Sequence, residues 1–352
     1  MYLCRDNNQT MLTKIFEDKD VHKLETYLNK GERFVIITHI TPDGDALGSS
    51  LGLYHFLSVM GKESVNIVVP NDFPSFLKWM PGSKDIVIYE HAKEYAERLL
   101  READVILCLD FNELKRIGKL APFLEAADGR KVLIDHHLEA ADFCNLTLSC
   151  PEMSSTSEMV FRLLCALKSF NDINKDAAEC IYTGMMTDTG SFTFNSNDSE
   201  LYYIITELIR KGIDKDMIYN KVYQVYAESR LRLTGYALYE KMKLYPEQQS
   251  AVIVLSLKEL NRFNYKTGDT EGFVNLPLSI EGIHFSVLIR EDPDYVKLSF
   301  RSVGDFSTNL FASTYFHGGG HKNASGGEFY GSLTDAVAAF EAALQEMNPG
   351  RF

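Results

Sequence analysis

The chain has 352 residues, of which 45% are apolar and 24% charged, a globular composition that excludes a disordered protein and leaves room for two domains of ordinary size. Its 36 basic and 49 acidic residues give a net charge of -13, which argues against wrapping long duplex DNA, where Lys and Arg must neutralise the phosphates. Small phosphate ligands stay open to it, because a bound metal ion supplies positive charge locally.

The N-terminus, MYLCRDNNQTML, lacks the basic-then-apolar layout of a signal peptide, and no apolar run approaches the ~18 residues of a membrane span, so a cytoplasmic location without membrane contact is expected. The cysteines (Cys4, Cys108, Cys144, Cys150, Cys165 and Cys180) form no C-x-x-C pair, and Cys108 and Cys165 fall in apolar runs that suit reduced, buried thiols. FVIITH (34–39) reads as a strand and ALGSSLGLYHFLSVMG (46–61) as a helix ending at a glycine. SVNIVV (64–69) is a second strand, followed by a loop-rich stretch (70–85), IVIY (86–89) and the helix EYAERLLREA (94–103). DVILCLD (104–110) and KVLIDHH (131–137) are short, almost continuously apolar strands. Such runs separated by helices predict an α/β fold with a mostly parallel sheet flanked by helices.

SSTSEMVFRLLCALKSF (154–170) predicts a helix with Ser/Thr capping at its start, and NKDAAECIYTGMMTDTG (174–190) another that ends near Asp188. The charged stretch 196–244 reads as a helical connector between residues 1–195 and a smaller α/β domain over 245–352. In that second domain AVIVLSL, HFSVLIRE and YVKLSFRS are strands, and GGGHKNASGG (318–327) is a glycine-rich loop.

Acids and imidazoles fall at the ends of the predicted strands. His39, Asp110 and Asp135-His136-His137 close three of them, and Asp43 and Asp45 follow the first within one loop, where Gly44 is expected to let the backbone turn. Ligands of open parallel sheets collect outside the carboxyl ends of the strands. Taken singly, Asp43 and Asp45 read as turn residues, Asp110 as a helix cap and His39 as core. Together on one side of one sheet, with Asp188 able to complete the group, they read as a metal or catalytic site. Carboxylate and imidazole ligands without thiolate favour Mn²⁺, with Mg²⁺, Co²⁺ or Zn²⁺ as substitutes, and the number of acids points to two ions.

TPDGDALGS, the DHH triplet and the distant GGGHKNASGG together resemble the DHH/DHHA1 phosphoesterase family, over nearly the whole chain and in the right order. The resemblance implies a di-manganese centre in which His39 and Asp43 bind one ion, Asp45, His136 and Asp188 the other, and Asp110 bridges both. It implies that Asp135 orients the neighbouring imidazoles and that His137 faces the substrate phosphate, sharing the catalytic role with Asp110. In the second domain it implies a phosphate site made of Gly318, Gly319 and Gly320 as a backbone anion nest, with His321 and Arg301 contacting the phosphate. Arg116 matches a position where the family often carries arginine, with a solvated surface arginine as the alternative. The chain departs from the family after Asp110, where Phe111 and Asn112 replace small hydroxyl residues and are expected to lie beside the metal.

The expected function is a manganese-dependent phosphoesterase acting on short oligoribonucleotides, on 3′-phosphoadenosine 5′-phosphate, or on both. The alternatives are a cyclic-dinucleotide phosphodiesterase, a pyrophosphatase or exopolyphosphatase, a single-strand DNA exonuclease and a non-catalytic nucleotide-binding regulator. Expected partners are short single-stranded RNA or small nucleotide phosphates, and the resemblance admits a homodimer. Phe192 and Phe194 read as aromatic core, with base stacking as the other reading.

Overall fold

The computed structural model describes residues 2–3 and 11–351, so Cys4 lies outside the described residues. The chain forms two compact units, Met1–Val225 and Tyr226–Phe352.

In the first unit α1 (Asp18–Lys30) leads into β1 (Arg33–Ile37), α2 (Gly44–Val59) and β2 (Ser64–Val69). The two-residue β3 (Val87–Ile88), α3 (Lys93–Glu102), β4 (Val105–Leu109), α4 (Ala121–Ala126) and β5 (Arg130–Asp135) follow. The edge strand β6 (Leu146–Ser149) then precedes α5 (Thr156–Ala166), α6 (Lys175–Asp188), α7 (Ser199–Arg210) and α8 (Lys215–Tyr223). All six strands are parallel, in the order β3-β2-β1-β4-β5-β6.

Side chains alternate across this sheet. Phe34 and Ile36 of β1 join a cluster with Leu47 and Leu51 of α2, Leu163 of α5 and Ile181 of α6. Val35 and Ile37 face the other way, onto Leu100 of α3 and Leu124 of α4. Both faces are therefore covered, which is why the strands read as unbroken apolar runs. The order reverses at β1 and β4, so their carboxyl ends open a crevice at a topological switch point. Among the described residues no helix is long and apolar enough to cross a membrane. The described cysteines are free, and Cys108 and Cys165 are buried as expected.

The second unit begins with α9 (Glu228–Tyr236), β7 (Met242–Tyr245), β8 (Ser250–Leu255) and α10 (Leu257–Arg262). It continues with β9 (Phe285–Glu291), β10 (Val296–Ser302), α11 (Thr308–Tyr315), β11 (Gly319–Gly320), β12 (Ala324–Phe329) and α12 (Leu333–Glu346). Its sheet runs β11-β12-β10-β9-β8-β7, with β8 and β9 parallel and the other pairs antiparallel. The helix-rich stretch 196–244 thus holds α7 and α8 in the first unit, where Ile204 and Val222 enter its core, and α9 in the second, where Leu233 packs with Ile253 and Leu288.

Three local readings are corrected. GGGHKNASGG is a hairpin between β11 and β12 and not an open loop. α2 begins at Gly44, two residues earlier than its apolar pattern suggested, because Asp43 caps it by accepting the N–H groups of Asp45 and Ala46, both at 3.0 Å. β6, with alternate residues exposed, has no apolar run to mark it as a strand.

Candidate metal centre

β1, β4 and β5 end on the same edge of the parallel sheet, and each delivers polar side chains there. His39 follows β1, Asp110 follows β4, and Asp135 closes β5 with His136 and His137 behind it. Asp110 takes φ 64°, a left-handed conformation that Asp tolerates better than most side chains. Its N–H donates to the Ile134 carbonyl at 3.2 Å, which ties the ends of β4 and β5 together.

Asp110 stands in the middle of the group. Its Oδ2 lies 3.4 Å from His39 Nε2, which is 3.9 Å from Asp43 Oδ2. Its Oδ1 lies 3.6 Å from His136 Nε2, and that nitrogen is 3.8 Å from Asp45 Oδ2 and 3.4 Å from Asp188 Oδ2. Donor atoms of His39, Asp43 and Asp110 fall within 4.8 Å of one another, as do those of Asp45, Asp110 and His136. The six residues read from the sequence as ligands therefore converge, in two groups that share Asp110.

The tautomers decide what this group can hold. His39 Nδ1 is 2.8 Å from the Ile40 carbonyl and His136 Nδ1 is 3.2 Å from the Met153 carbonyl. A carbonyl only accepts, so each Nδ1 carries a hydrogen and each Nε2 points at the carboxylates. That Nε2 carries either a second proton, which the carboxylates hold, or a divalent cation in the proton's place. Burial alone would lower His136, but Asp188, Asp110 and Asp45 hold it up at about 9. Burial, with Asp110 and Asp188 nearby, pushes Asp45 well above the usual carboxylate range. Burial opposes ionisation of Asp110 too, yet His39, His137 and His136 keep it far below that range. The pocket calls for positive charge, and these residues fit a metal ion.

Asp135 orients one imidazole and not both. His137 Nδ1 lies 2.7 Å from Asp135 Oδ1, whereas His136 is held by a backbone carbonyl. Burial draws the His137 pKa down. Burial and the Arg116 charge also oppose protonation of His39, but Asp110 and Asp43 raise it overall. Arg116 is half-buried, and its own carbonyl accepts the Ile40 N–H at 2.7 Å, one residue after His39.

Two expectations about aromatic residues fail. Phe111 is fully buried in the cluster under the other face of the sheet, stacked on Phe143 at 5.9 Å, and Asn112 donates to the Leu138 carbonyl at 2.8 Å. The left-handed turn at Asp110 thus sends Phe111 into the core, while Asn112 reaches the residue that follows His137. Phe192 packs beside Tyr182, but Phe194 is 50% exposed and not core.

In the second unit Arg301 pairs across β10 and β12 with Ala324, whose carbonyl accepts the His321 N–H at 2.7 Å. His321 thus sits in the turn of the β11–β12 hairpin, and Arg301 lies on the strand paired with β12. The glycines serve packing first. A Cβ on Gly318 would lie 2.1 Å from the Gly326 carbonyl oxygen, and one on Gly320, at φ 143°, 2.6 Å from that of Ala324. A Cβ on Gly319 would meet nothing closer than 3.6 Å. The N–H groups of Gly318 and His321 donate to Ala312 and Ala324, so the expected anion nest is reduced.

The DHH family model, described as its N-terminal domain, matches residues 33–185, and the DHHA1 domain matches residues 249–347. The chain is 30% identical over 315 residues to the bifunctional oligoribonuclease and PAP phosphatase NrnA of Thermus thermophilus, covering 88% of this chain and 87% of the relative. The chain belongs to the DHH/DHHA1 phosphoesterase family. An exopolyphosphatase-related protein from Bacteroides fragilis superposes with a TM-score of 0.90 at 56% identity, over 96% of this chain and 99% of that one. The exonuclease RecJ, crystallised with manganese, shares the fold at a TM-score of 0.53 and 16% identity, over 95% and 96%.

One part of this DHH site escaped the sequence reading. The first turn of α5 donates Thr156 N–H to Asp45 Oδ2 at 2.7 Å, Ser157 N–H to Asp45 Oδ1 at 2.8 Å, and the Thr156 hydroxyl to Asp110 Oδ1 at 3.0 Å. SSTSE signalled the cap but not what it held. Gly44 also acts otherwise than expected: its φ is not positive, and a Cβ there would lie 2.2 Å from Thr187 Oγ1. It lets α2 meet α6, and it does not make the turn.

Proposed function

We propose that this DHH phosphoesterase hydrolyses short oligoribonucleotides and 3′-phosphoadenosine 5′-phosphate with two divalent ions, Mn²⁺ foremost. The observation that carries the metal reading is the split of Asp110, with one oxygen toward His39 and Asp43 and the other toward His136, Asp45 and Asp188. The substrate class rests on the likeness to the Thermus thermophilus oligoribonuclease and PAP phosphatase along most of both chains.

His39 and Asp43 would hold one ion and Asp45, His136 and Asp188 the other, with Asp110 between them. When bound, such ions lower the pKa of water and take up charge that develops on the phosphoryl oxygens. The protein's own groups set the rest. The Nδ1 hydrogens of His39 and His136 keep the Nε2 lone pairs aimed inward. Asp135 fixes His137 so that its Nε2 can take or share a proton at the phosphate. Arg116 adds a fixed positive charge beside His39 and His137. Arg301 and His321 would bind phosphate in the second unit, Arg301 through two parallel N–H groups.

The test is a Mn²⁺ assay of the purified full chain on 3′-phosphoadenosine 5′-phosphate, RNAs of two to five nucleotides, cyclic di-AMP, pyrophosphate and polyphosphate. Turnover of the first two classes well above the others is expected. Turnover confined to polyphosphate, as the Bacteroides fragilis protein's description would suggest for that protein, or to cyclic di-AMP, overturns the substrate assignment.

A further inference from the structure

Arg162 has no part in the chemistry above, yet it is among the largest fully buried side chains of the described residues, 1% exposed. Its Nε donates to Glu158 Oε1 at 2.8 Å and its second terminal nitrogen reaches the same oxygen at 2.7 Å. The remaining terminal nitrogen donates to Glu200 Oε2 at 2.6 Å, from α7. Both carboxylates are then tied further. Glu158 Oε2 accepts Ser154 N–H at 3.0 Å and Ser154 hydroxyl at 2.7 Å, and Glu200 Oε1 accepts Thr13 hydroxyl at 2.6 Å and Thr13 N–H at 3.0 Å.

A buried ion cluster of this kind gives little net stability, because apolar residues of equal volume often do as well. Its value lies in what it fixes. Glu158 sits in the first turn of α5, where Ser155 caps by accepting the Glu158 N–H at 3.0 Å. That turn carries the three donors that hold Asp45 and Asp110. Asp45 belongs to α2 and Asp110 to the end of β4, so one helical turn sets the register of two carboxylates from separate elements.

We infer that Arg162 is a positioning residue for the metal centre: through Glu158 it locks the start of α5, which in turn sets Asp45 and Asp110 for the ions. This rests on the metal reading given above. A loosened turn would leave both carboxylates free to swing from their donors, and metal affinity would fall while the fold remained.

The test is calorimetric titration of Mn²⁺ into the full chain, with thermal melts of the metal-free proteins to establish folding. Arg162→Met is expected to raise the Mn²⁺ Kd about 10- to 100-fold, the usual effect of removing a partner that supports metal ligands. Arg162→Lys should recover part of that loss. Thr156→Val, which removes only the hydroxyl to Asp110, should shift the Kd the same way by less. A folded Arg162→Met with a lower melting temperature but a Kd within twofold of wild type overturns the inference. Should Arg162→Met not fold, Glu200→Gln breaks only the outer link; a severalfold rise in Kd supports the inference and an unchanged Kd overturns it. Wild-type protein that binds no Mn²⁺ overturns the metal reading itself, and this inference with it. Wild-type binding with unaltered variants overturns the inference alone.

Discussion

Asp110 Oδ2 lies 3.4 Å from His39 Nε2, with both groups buried. Asp110→Asn keeps the size of the side chain and its tolerance for a left-handed backbone, but it removes the charge between the two ligand groups. Mn²⁺ titration should show loss of at least one ion. The kcat/KM should fall by more than the ~100-fold typical of residues that only support ligands. Wild-type manganese stoichiometry and rate in Asp110→Asn would sink the two-ion reading.

Metal removal should act on stability as well as rate. The centre crowds Asp45, Asp110 and Asp188 around His136. An ion that binds only the folded state stabilises it by mass action, about 2.7 kcal/mol at a hundred times its Kd. Differential scanning fluorimetry should therefore show a higher Tm with excess Mn²⁺ than with a chelator, and the difference should vanish in Asp110→Asn. Equal melting temperatures with and without Mn²⁺ would count against the site.

The glycines of α2 should differ in what they tolerate. A Cβ on Gly48 would lie 2.7 Å from the Cys180 carbonyl oxygen and 2.8 Å from Gly184 Cα, both backbone atoms. A Cβ on Gly44 meets the Thr187 side chain, which can rotate. Overpacking typically costs ~1–3 kcal/mol, so Gly48→Ala should lie at the upper end and Gly44→Ala below it. Chemical denaturation of the two variants checks the order, and a reversed order would show that α2 and α6 can part.

The hairpin of the second unit allows a sharper contrast. Gly319→Ala should fold as wild type, since its Cβ makes only an ordinary contact at 3.6 Å, whereas Gly318→Ala and Gly320→Ala should disrupt the hairpin. Hydrogen exchange across β11 and β12 reads this directly. Wild-type protection in Gly318→Ala would mean that the close strand approach is dispensable.

Glu259 gives the second unit an acid limit. Burial would raise its pKa, but Lys241, Tyr236 and the N–H and hydroxyl of Ser256 hold it at about 2. The folded pKa is depressed, so the stabilisation is complete above the unfolded value near 4.5 and is lost as pH falls from there toward 2. Hydrogen exchange at α10 should lose protection through that window in wild type. In Glu259→Gln the protection should be weaker at neutral pH and flatter with pH, and an unchanged profile would remove Glu259 from the account.

The strand ends were legible because an apolar run followed by an acid or an imidazole has only one outlet in a covered parallel sheet. That reasoning reached His39, Asp110, His136 and His137. It placed Asp43 and Asp45 nearby but missed that Asp43 spends Oδ1 on capping α2 and turns Oδ2 to His39. Turn residue and ligand are not rivals here, because the two oxygens of one carboxylate satisfy both. The contacts of Gly44, Gly318 and the SSTSE turn were not legible, because each is made with residues more than a hundred positions away or with a partner strand. Phe111 was misplaced for a conformational reason, the positive φ of Asp110, which no side-chain pattern announces.

That φ has an evolutionary consequence. A backbone at φ 64° readily admits Gly, Asn and Asp and resists branched or bulky residues. The proposed role, an anionic oxygen donor for each of two cations, would admit Asp and exclude Gly and Asn, while Glu reaches too far to hold the same spacing. On that proposal two independent filters, one steric and one electronic, would leave a vocabulary of one residue at position 110, so new substrates would be acquired around it but not through it.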